Sequence, residues 1–298
     1  IDLAVKVGRT AEALEFLADG SMDKPRAEPI VQLAGIRARL AAGQRDFAIS
    51  DTQCALLAAR RPGAYNVVNI AIPGLRIGRT AYLEHAIKQL GARYVVIYPS
   101  PANYIGTTEP FCGQPDQPVP VQFGLTERSR LLGRIEQFAK QQVPPAVMTR
   151  VRRFSIWRET RNTAVLDRIP DASINAFGTD LECAVRAARS LGAEPIIVTH
   201  ATLFGAAVQP DDEDMLVAWR RFYPELAEGG FLDLERRANA AALAVATCND
   251  VRVVRADALI PRGRENFADF VHFTDRGAGL MATALADSLL ADGASADH

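Results

Sequence analysis

The chain has 298 residues, of which 48% are hydrophobic and 23% charged, and its formal net charge is −1 at pH 7. This length and apolar content suffice for one sizeable α/β domain with insertions or for two small domains, and we favour one. Because acids and bases are so evenly balanced, we expect no nucleic-acid partner. We also expect no integral membrane segment in this chain, since no apolar stretch is long enough to cross a bilayer.

In chain order, the pattern predicts a helical extension over residues 1–43 and a main domain over 44–298, which alternates strands with helices. Five short apolar runs qualify as buried strands: 46–50, 66–70, 94–98, 195–199 and 251–255. The helices predicted between and after them are 53–60, 80–90, 180–191, 232–246 and 278–290. This alternation is typical of a three-layer α/β/α fold with a flavodoxin-like, doubly wound, five-stranded parallel sheet.

A long insertion, residues 101–175, follows the third predicted strand, with a Pro- and Gly-rich loop first and helices after it. We expect it to form a lid or a substrate wall over the sheet edge. We interpret its basic run as a solvated helix face; it comprises Arg150, Arg152, Arg153, Arg158 and Arg161.

The four cysteines show no Cys-x-x-Cys spacing and no neighbouring histidines, so we expect no metal site. Cys183 and Cys248 lie in segments with a helical pattern, where we expect them to pack as small apolar residues, whereas Cys112 in the Pro/Gly-rich loop is a candidate for oxidation in an exported protein. The first residue, Ile1, favours a trimmed amino terminus and leaves the compartment open, cytoplasmic or exported.

A carboxylate and a histidine stand close together near the end of the chain. In the run Asp269-Phe270-Val271-His272, Asp269 precedes His272 by three residues and the predicted last helix follows. A carboxylate at this spacing can orient an imidazole and stabilise its charged form, as a general base serving a hydroxyl nucleophile requires. An acyl-transfer enzyme is therefore the first hypothesis.

Other polar groups follow the predicted strands, where ligands bind in doubly wound sheets. The run Ser50-Asp51-Thr52 follows the first strand, Gly74 the second and Asn103 the third. His200 ends the fourth strand with no carboxylate beside it in the sequence, so we interpret it as structural or substrate-contacting.

These places, taken in order over roughly residues 45–290, resemble the four sequence blocks of the SGNH hydrolases, the GDSL esterase/lipase superfamily. The resemblance implies that Asp269 and His272 complete a catalytic triad and that Gly74 and Asn103 contribute to an oxyanion hole. Asp269 and His272 match the last block fully. Asn103 matches the third only in part, because Pro101 replaces its glycine and Tyr104 its aspartate.

The first block departs most from the family, because Thr52 stands where the nucleophilic serine is expected. A threonine hydroxyl is a competent nucleophile in some enzymes, although its extra methyl restricts χ1 and crowds the attack trajectory. Ser50 ranks second as a candidate nucleophile, and Cys54 ranks third.

The resemblance implies an ester hydrolase with a hydroxyl–His–Asp mechanism and an acyl-enzyme, acting without a cofactor. We expect the substrate to be a small-molecule ester with a short acyl chain or an O-acetylated carbohydrate. Two alternatives stay open: an acyltransferase acting on a glycan, and a catalytically impaired SGNH-like binding domain in which threonine has replaced the nucleophilic serine.

Overall fold

A computed structural model describes residues 70, 76–106, 108–114, 144–162, 164–205 and 207–290. The chain divides into two compact units, the first made of Ile1–Ala71, Ala201–Leu203 and Val254–His298, the second of Ile72–His200 and Phe204–Val253. The predicted extension 1–43, strand 46–50, helix 53–60 and all but the last residue of strand 66–70 lie outside the described residues.

The second unit is α/β. Its described elements, in chain order, are α1 (Thr80–Leu90), β1 (Tyr94–Ile97), a 3-10 turn (Pro101–Asn103), α2 (Pro145–Thr160), α3 (Asp171–Ser190), β2 (Glu194–Val198), a second 3-10 turn (Pro210–Asp212), α4 (Glu213–Arg220), α5 (Glu228–Cys248) and all but the last residue of β3 (Arg252–Val254). The strands form a sheet in the order β1-β2-β3, in which β1 and β2 pair in parallel. Helix α3 packs against α1, α5 and β2.

The described part of the first unit holds two helices, the short α6 (Ala256–Leu259) and the longer α7 (Asp275–Leu290), which pack on each other. Between them lies an irregular segment with one antiparallel bridge, which joins Phe267 and Phe273. Among the helices described in either unit, none has the length and apolarity needed to cross a membrane.

The predicted helix 80–90 has the bounds of α1, and the other three predicted helices that fall on described residues are confirmed with longer amino-terminal parts. Helix α3 begins nine residues earlier than predicted, because Phe177, wholly buried, and Ala176, nearly so, pack its first turns. Burial there overrides the weak helix propensity of the Ser, Asn, Gly and Thr residues beside them.

Helix α5 also begins four residues before its predicted start, in spite of two glycines in its first turn. Gly230 is required there by close packing: a Cβ built on it would lie 2.7 Å from Leu226 Cδ1 and 2.9 Å from the carbonyl oxygen of Asp167. The residue that weakens the helical pattern therefore allows the helix to approach its neighbours.

Two expectations about cysteines were wrong. Cys112 and Cys183 form a disulfide with 6.1 Å between their Cα atoms, so Cys183 is not simply a small apolar residue. Cys248 is an exposed free thiol at the end of α5.

One turn before Cys183 on α3, Asp180 binds the same loop. Its Oδ1 accepts the backbone N–H of Cys112 at 2.8 Å, and a Cβ built on Gly78 would lie 2.0 Å from that oxygen. Burial raises the pKa of Asp180, although backbone N–H groups of Cys112 and Phe111 and the charge of Arg76 oppose the rise. Asp180 and the disulfide together fix loop 108–114 on α3.

Candidate functional site

Asp269 and His272 lie at the tip of a tight hairpin in the first unit. The N–H of Ala268 donates to the carbonyl oxygen of His272 at 2.8 Å, and the Phe267–Phe273 bridge closes the hairpin below it. Both phenylalanines are buried, and their ring centroids are 5.1 Å apart. The two packed phenylalanine rings thus support a short polar tip.

Within that tip, three hydrogen bonds join the carboxylate of Asp269 to the next residues. Oδ1 accepts the backbone N–H groups of Val271 at 2.9 Å and His272 at 2.8 Å, while Oδ2 lies 2.7 Å from His272 Nδ1. The spacing of three residues therefore does what the sequence predicted: it brings the carboxylate onto the imidazole.

The electrostatics of this pair favour an ionised carboxylate. Burial by itself would raise the pKa of Asp269, but the hydrogen bonds from His272 and Val271 outweigh burial and lower that pKa below its ordinary value of 3.8. An ionised Asp269 only accepts hydrogen bonds, so His272 Nδ1 carries the proton in this pair, and the lone pair of the neutral ring lies on Nε2. The imidazole side chain is 52% exposed, so a substrate can reach it.

The residues after His272 explain why the hairpin keeps its position on α7. Thr274 precedes the helix, its Oγ1 accepts the N–H of Gly277 at 3.2 Å, and its own N–H donates to the carbonyl of Asn266 at 3.0 Å. This is a hydroxyl N-cap combined with a bond to the hairpin.

Asn103 lies in the second unit, in the 3-10 turn that follows β1, and it is buried. Its Oδ1 accepts the backbone N–H of Ile77 at 3.0 Å, and its Nδ2 donates to the carbonyl oxygen and the hydroxyl of Ser100, at 3.3 and 3.2 Å. The side chain therefore ties the segment before α1 to the carboxyl end of β1.

A buried cluster that the sequence did not predict lies beside Asn103. Tyr104 donates its hydroxyl to Glu235 Oε1 at 2.8 Å, and Glu235 Oε2 lies 2.8 Å from His200 Nδ1. All three residues are buried. Burial, and next the negative charge of Glu235, raise the pKa of Tyr104 well above its usual value, so the phenol stays a neutral donor.

His200 thus has a carboxylate partner that its immediate neighbours in the sequence did not indicate, and its burial is consistent with the structural role expected for it. Glu235 comes from α5, 35 residues further along the chain. Asn239, one turn after Glu235, accepts the N–H of His200 at 2.8 Å and donates to its carbonyl at 2.9 Å. The i, i+4 pair of polar residues on α5 is the signal that could have identified this partner.

The parallel pairing of β1 and β2 brings residues that follow the two strands together at one sheet edge, where Tyr98 and Tyr104 both contact His200. Asp269 and His272 are brought together in the first unit. Thr52 and Gly74, together with the alternative nucleophiles Ser50 and Cys54, lie outside the described residues.

Comparison with known proteins gives no family for the chain. No protein-family model matches it, and neither a curated protein nor a solved structure does.

Proposed function

We propose that this protein is an ester hydrolase in which His272, oriented by Asp269, acts as the general base for a hydroxyl nucleophile. The observation that carries the proposal is the 2.7 Å contact between Asp269 Oδ2 and His272 Nδ1 on an accessible hairpin tip. A half-buried, multiply hydrogen-bonded carboxylate behind an exposed imidazole is an arrangement that general-base catalysis uses.

In the proposed reaction, His272 Nε2 takes the proton of the Thr52 hydroxyl, whose oxygen attacks the ester carbonyl carbon. The N–H groups of Thr52 and Gly74 and the side-chain amide of Asn103 stabilise the oxyanion. The protonated His272 then gives its proton to the departing alcohol. Water, deprotonated by the same imidazole, attacks the acyl-enzyme and releases the acid and the Thr52 hydroxyl.

The contacts of Asn103 support its part in this proposal. The hydrogen bond from Ile77 ties Asn103 to a residue only three positions after Gly74, the other proposed donor. Nδ2 carries two protons and donates to two oxygens of Ser100, at 3.3 and 3.2 Å, and in the proposed reaction one of these bonds is exchanged for a bond to the oxyanion.

We further propose that the three strands described here belong to a five-stranded, flavodoxin-like sheet whose other two strands are 46–50 and 66–70. Support comes from the parallel pairing of β1 with β2 and from the alternation of helices and strands in the second unit. In such a sheet the first two strands would end next to Thr52 and Gly74.

Hydrolysis of p-nitrophenyl acetate and butyrate tests the proposal, with Thr52→Ser, Thr52→Ala and His272→Ala compared with the wild type. The matched control is His85→Ala, which removes an exposed histidine from α1. We expect His272→Ala to lower kcat by about 100- to 10,000-fold, Thr52→Ala to abolish steady turnover and His85→Ala to change neither.

The same assay separates the alternatives. If only Thr52→Ser is active, the protein is a catalytically impaired domain, in which the other groups of the site are intact but Thr52 does not act as a nucleophile. Release of p-nitrophenol that increases when a sugar acceptor is added, with acyl sugar as the product, would identify a transferase.

A further inference from the structure

Helix α2 carries an apolar and basic surface that the proposed esterase chemistry does not use. Its outward face contains four large apolar residues, Val147, Val151, Phe154 and Trp157, all of them exposed. Phe154 is 61% and Trp157 57% exposed, and their ring centroids are 5.7 Å apart. Exposing two neighbouring aromatic side chains to water is costly for a surface that contacts nothing.

Three arginines share that face. At 3.6 residues per turn, Arg150, Arg158 and Arg161 lie on the same side of the helix as the apolar residues and opposite the buried Ile156. The helix has a single acid, Glu159, which lies off this face and binds Arg221 at 2.9 Å. The face is therefore both apolar and purely cationic.

The other two arginines of the basic run contact neighbouring helices, although Arg153 remains exposed, as the sequence suggested. Arg152 donates to the carbonyl of Asp214 at 3.4 Å, and Arg153 forms ion pairs with Glu213 and Glu228. These contacts join α2 to α4 and α5 on the side away from the exposed apolar residues.

A cavity of about 430 Å³ opens beside this face, lined by Trp157, Arg161 and Arg220 among others. Arg153 also lines it, and among the described residues of the lining Glu228 is the only acid. Glu228 pairs with both Arg153, at 3.7 Å, and Arg220, at 3.8 Å. The three arginines of the lining therefore outnumber the acids, even when Glu213, which also pairs with Arg153, is counted. The Nε–H of Arg220 is buried, and no group in the described part of the chain accepts it.

We propose that this face of α2 docks on the surface of a bilayer that contains anionic phospholipids. The aromatic and valine side chains enter the boundary between headgroups and acyl chains, the arginines contact lipid phosphates, and the cavity beside Trp157 takes one headgroup. An apolar stripe with interspersed arginines and no acid is complementary to a surface that is apolar below and negative above. The proposal is independent of the reaction proposed for His272.

Co-sedimentation with lipid vesicles tests it, with phosphatidylcholine alone compared with phosphatidylcholine mixed with phosphatidylglycerol. The variants are Phe154→Ser and Arg158→Glu, and their matched controls are Phe222→Ser, at an even more exposed phenylalanine, and Lys88→Glu, on the surface of α1. We expect the wild type to sediment with the anionic vesicles only, each variant to partition about tenfold less and the controls to be unchanged.

Tryptophan fluorescence gives an independent readout, because the chain has two tryptophans and Trp219 is wholly buried. We expect anionic vesicles to shift the emission to shorter wavelength and Trp157→Phe to abolish that shift. Far-UV circular dichroism checks that each variant is folded.

Several results would overturn the proposal: no sedimentation of the wild type, equal binding to both kinds of vesicle, unchanged binding of Phe154→Ser, or equal losses in the controls. Release of the protein by inorganic phosphate at constant ionic strength would overturn it too, in favour of a pocket for a small anion.

Discussion

Gly277 lies directly against the carbonyl oxygen of Asn266: a Cβ built on Gly277 would come within 2.0 Å of that atom. Gly277 belongs to the first turn of α7, and Asn266 begins the hairpin that carries Asp269 and His272. The glycine that follows Asp269 and His272 in the sequence thus has a physical reason, since only a residue without Cβ lets the hairpin approach the helix this closely.

Gly277→Ala should therefore displace the hairpin and destabilise the protein by about 1–3 kcal/mol. The matched control is Gly279→Ala two residues later, where a Cβ meets nothing within 4 Å. Because alanine has the higher helix propensity, the control should be more stable than wild type by about 0.5–1 kcal/mol. Urea unfolding measures both, and equal effects at the two positions would show that the close approach at Gly277 is not important.

The raised pKa of Tyr104 predicts that the stability of the protein depends on pH in the alkaline range. Burial, and then the charge of Glu235, raise the pKa of Tyr104 in the folded protein above the usual 10.0. The stabilisation linked to its proton is complete below pH 10.0, and it is lost as the pH rises from there towards the folded-state pKa.

Tyr104→Phe should destabilise the protein by about 1.5–3 kcal/mol at neutral pH, because Glu235 loses a buried hydrogen bond. Above about pH 10 the gap between wild type and variant should shrink by up to about 1.4 kcal/mol per pH unit, since only the wild type has this phenol to ionise on unfolding. Urea unfolding from about pH 8 to pH 11 measures the gap, and a gap independent of pH would contradict this assignment.

The Cys112–Cys183 disulfide should stabilise the second unit, because it closes a long loop between residues 71 positions apart. Replacing both cysteines by serine should lower the free energy of unfolding by about 2–4 kcal/mol, and a reductant should lower the melting temperature of the wild type but not of this variant. Cys248→Ser, at the exposed free thiol, is the control and should match the wild type. Failure to recover a peptide that links Cys112 to Cys183 from a non-reducing digest would contradict the pairing.

The sequence predicted those parts of the molecule that depend on local pattern. Helix α1 has its predicted bounds because its apolar spacing and the following Gly91, with a φ of 59°, define both the face and the end. The Asp269–His272 contact was likewise predictable, since three residues of chain suffice to close it.

Contacts between distant residues were not predictable in this way. Glu235 reaches His200 and Tyr104 only after α5 has packed on α3, and Cys112 meets Cys183 only after its loop has docked on α3. The first turns of α3 and α5 were also missed, because burial there outweighs local propensity.

Covalent labelling of the nucleophile tests the central claim most directly. The protein is treated with a fluorophosphonate, which phosphonylates activated hydroxyl groups, and the adduct is located by peptide mass spectrometry in the wild type and in Thr52→Ala, His272→Ala, Asp269→Asn and His85→Ala. We predict one adduct on Thr52 in the wild type and in His85→Ala, no adduct in Thr52→Ala or His272→Ala, and slower labelling in Asp269→Asn. An adduct on another residue, or labelling of Thr52 at the same rate without His272, would contradict the account.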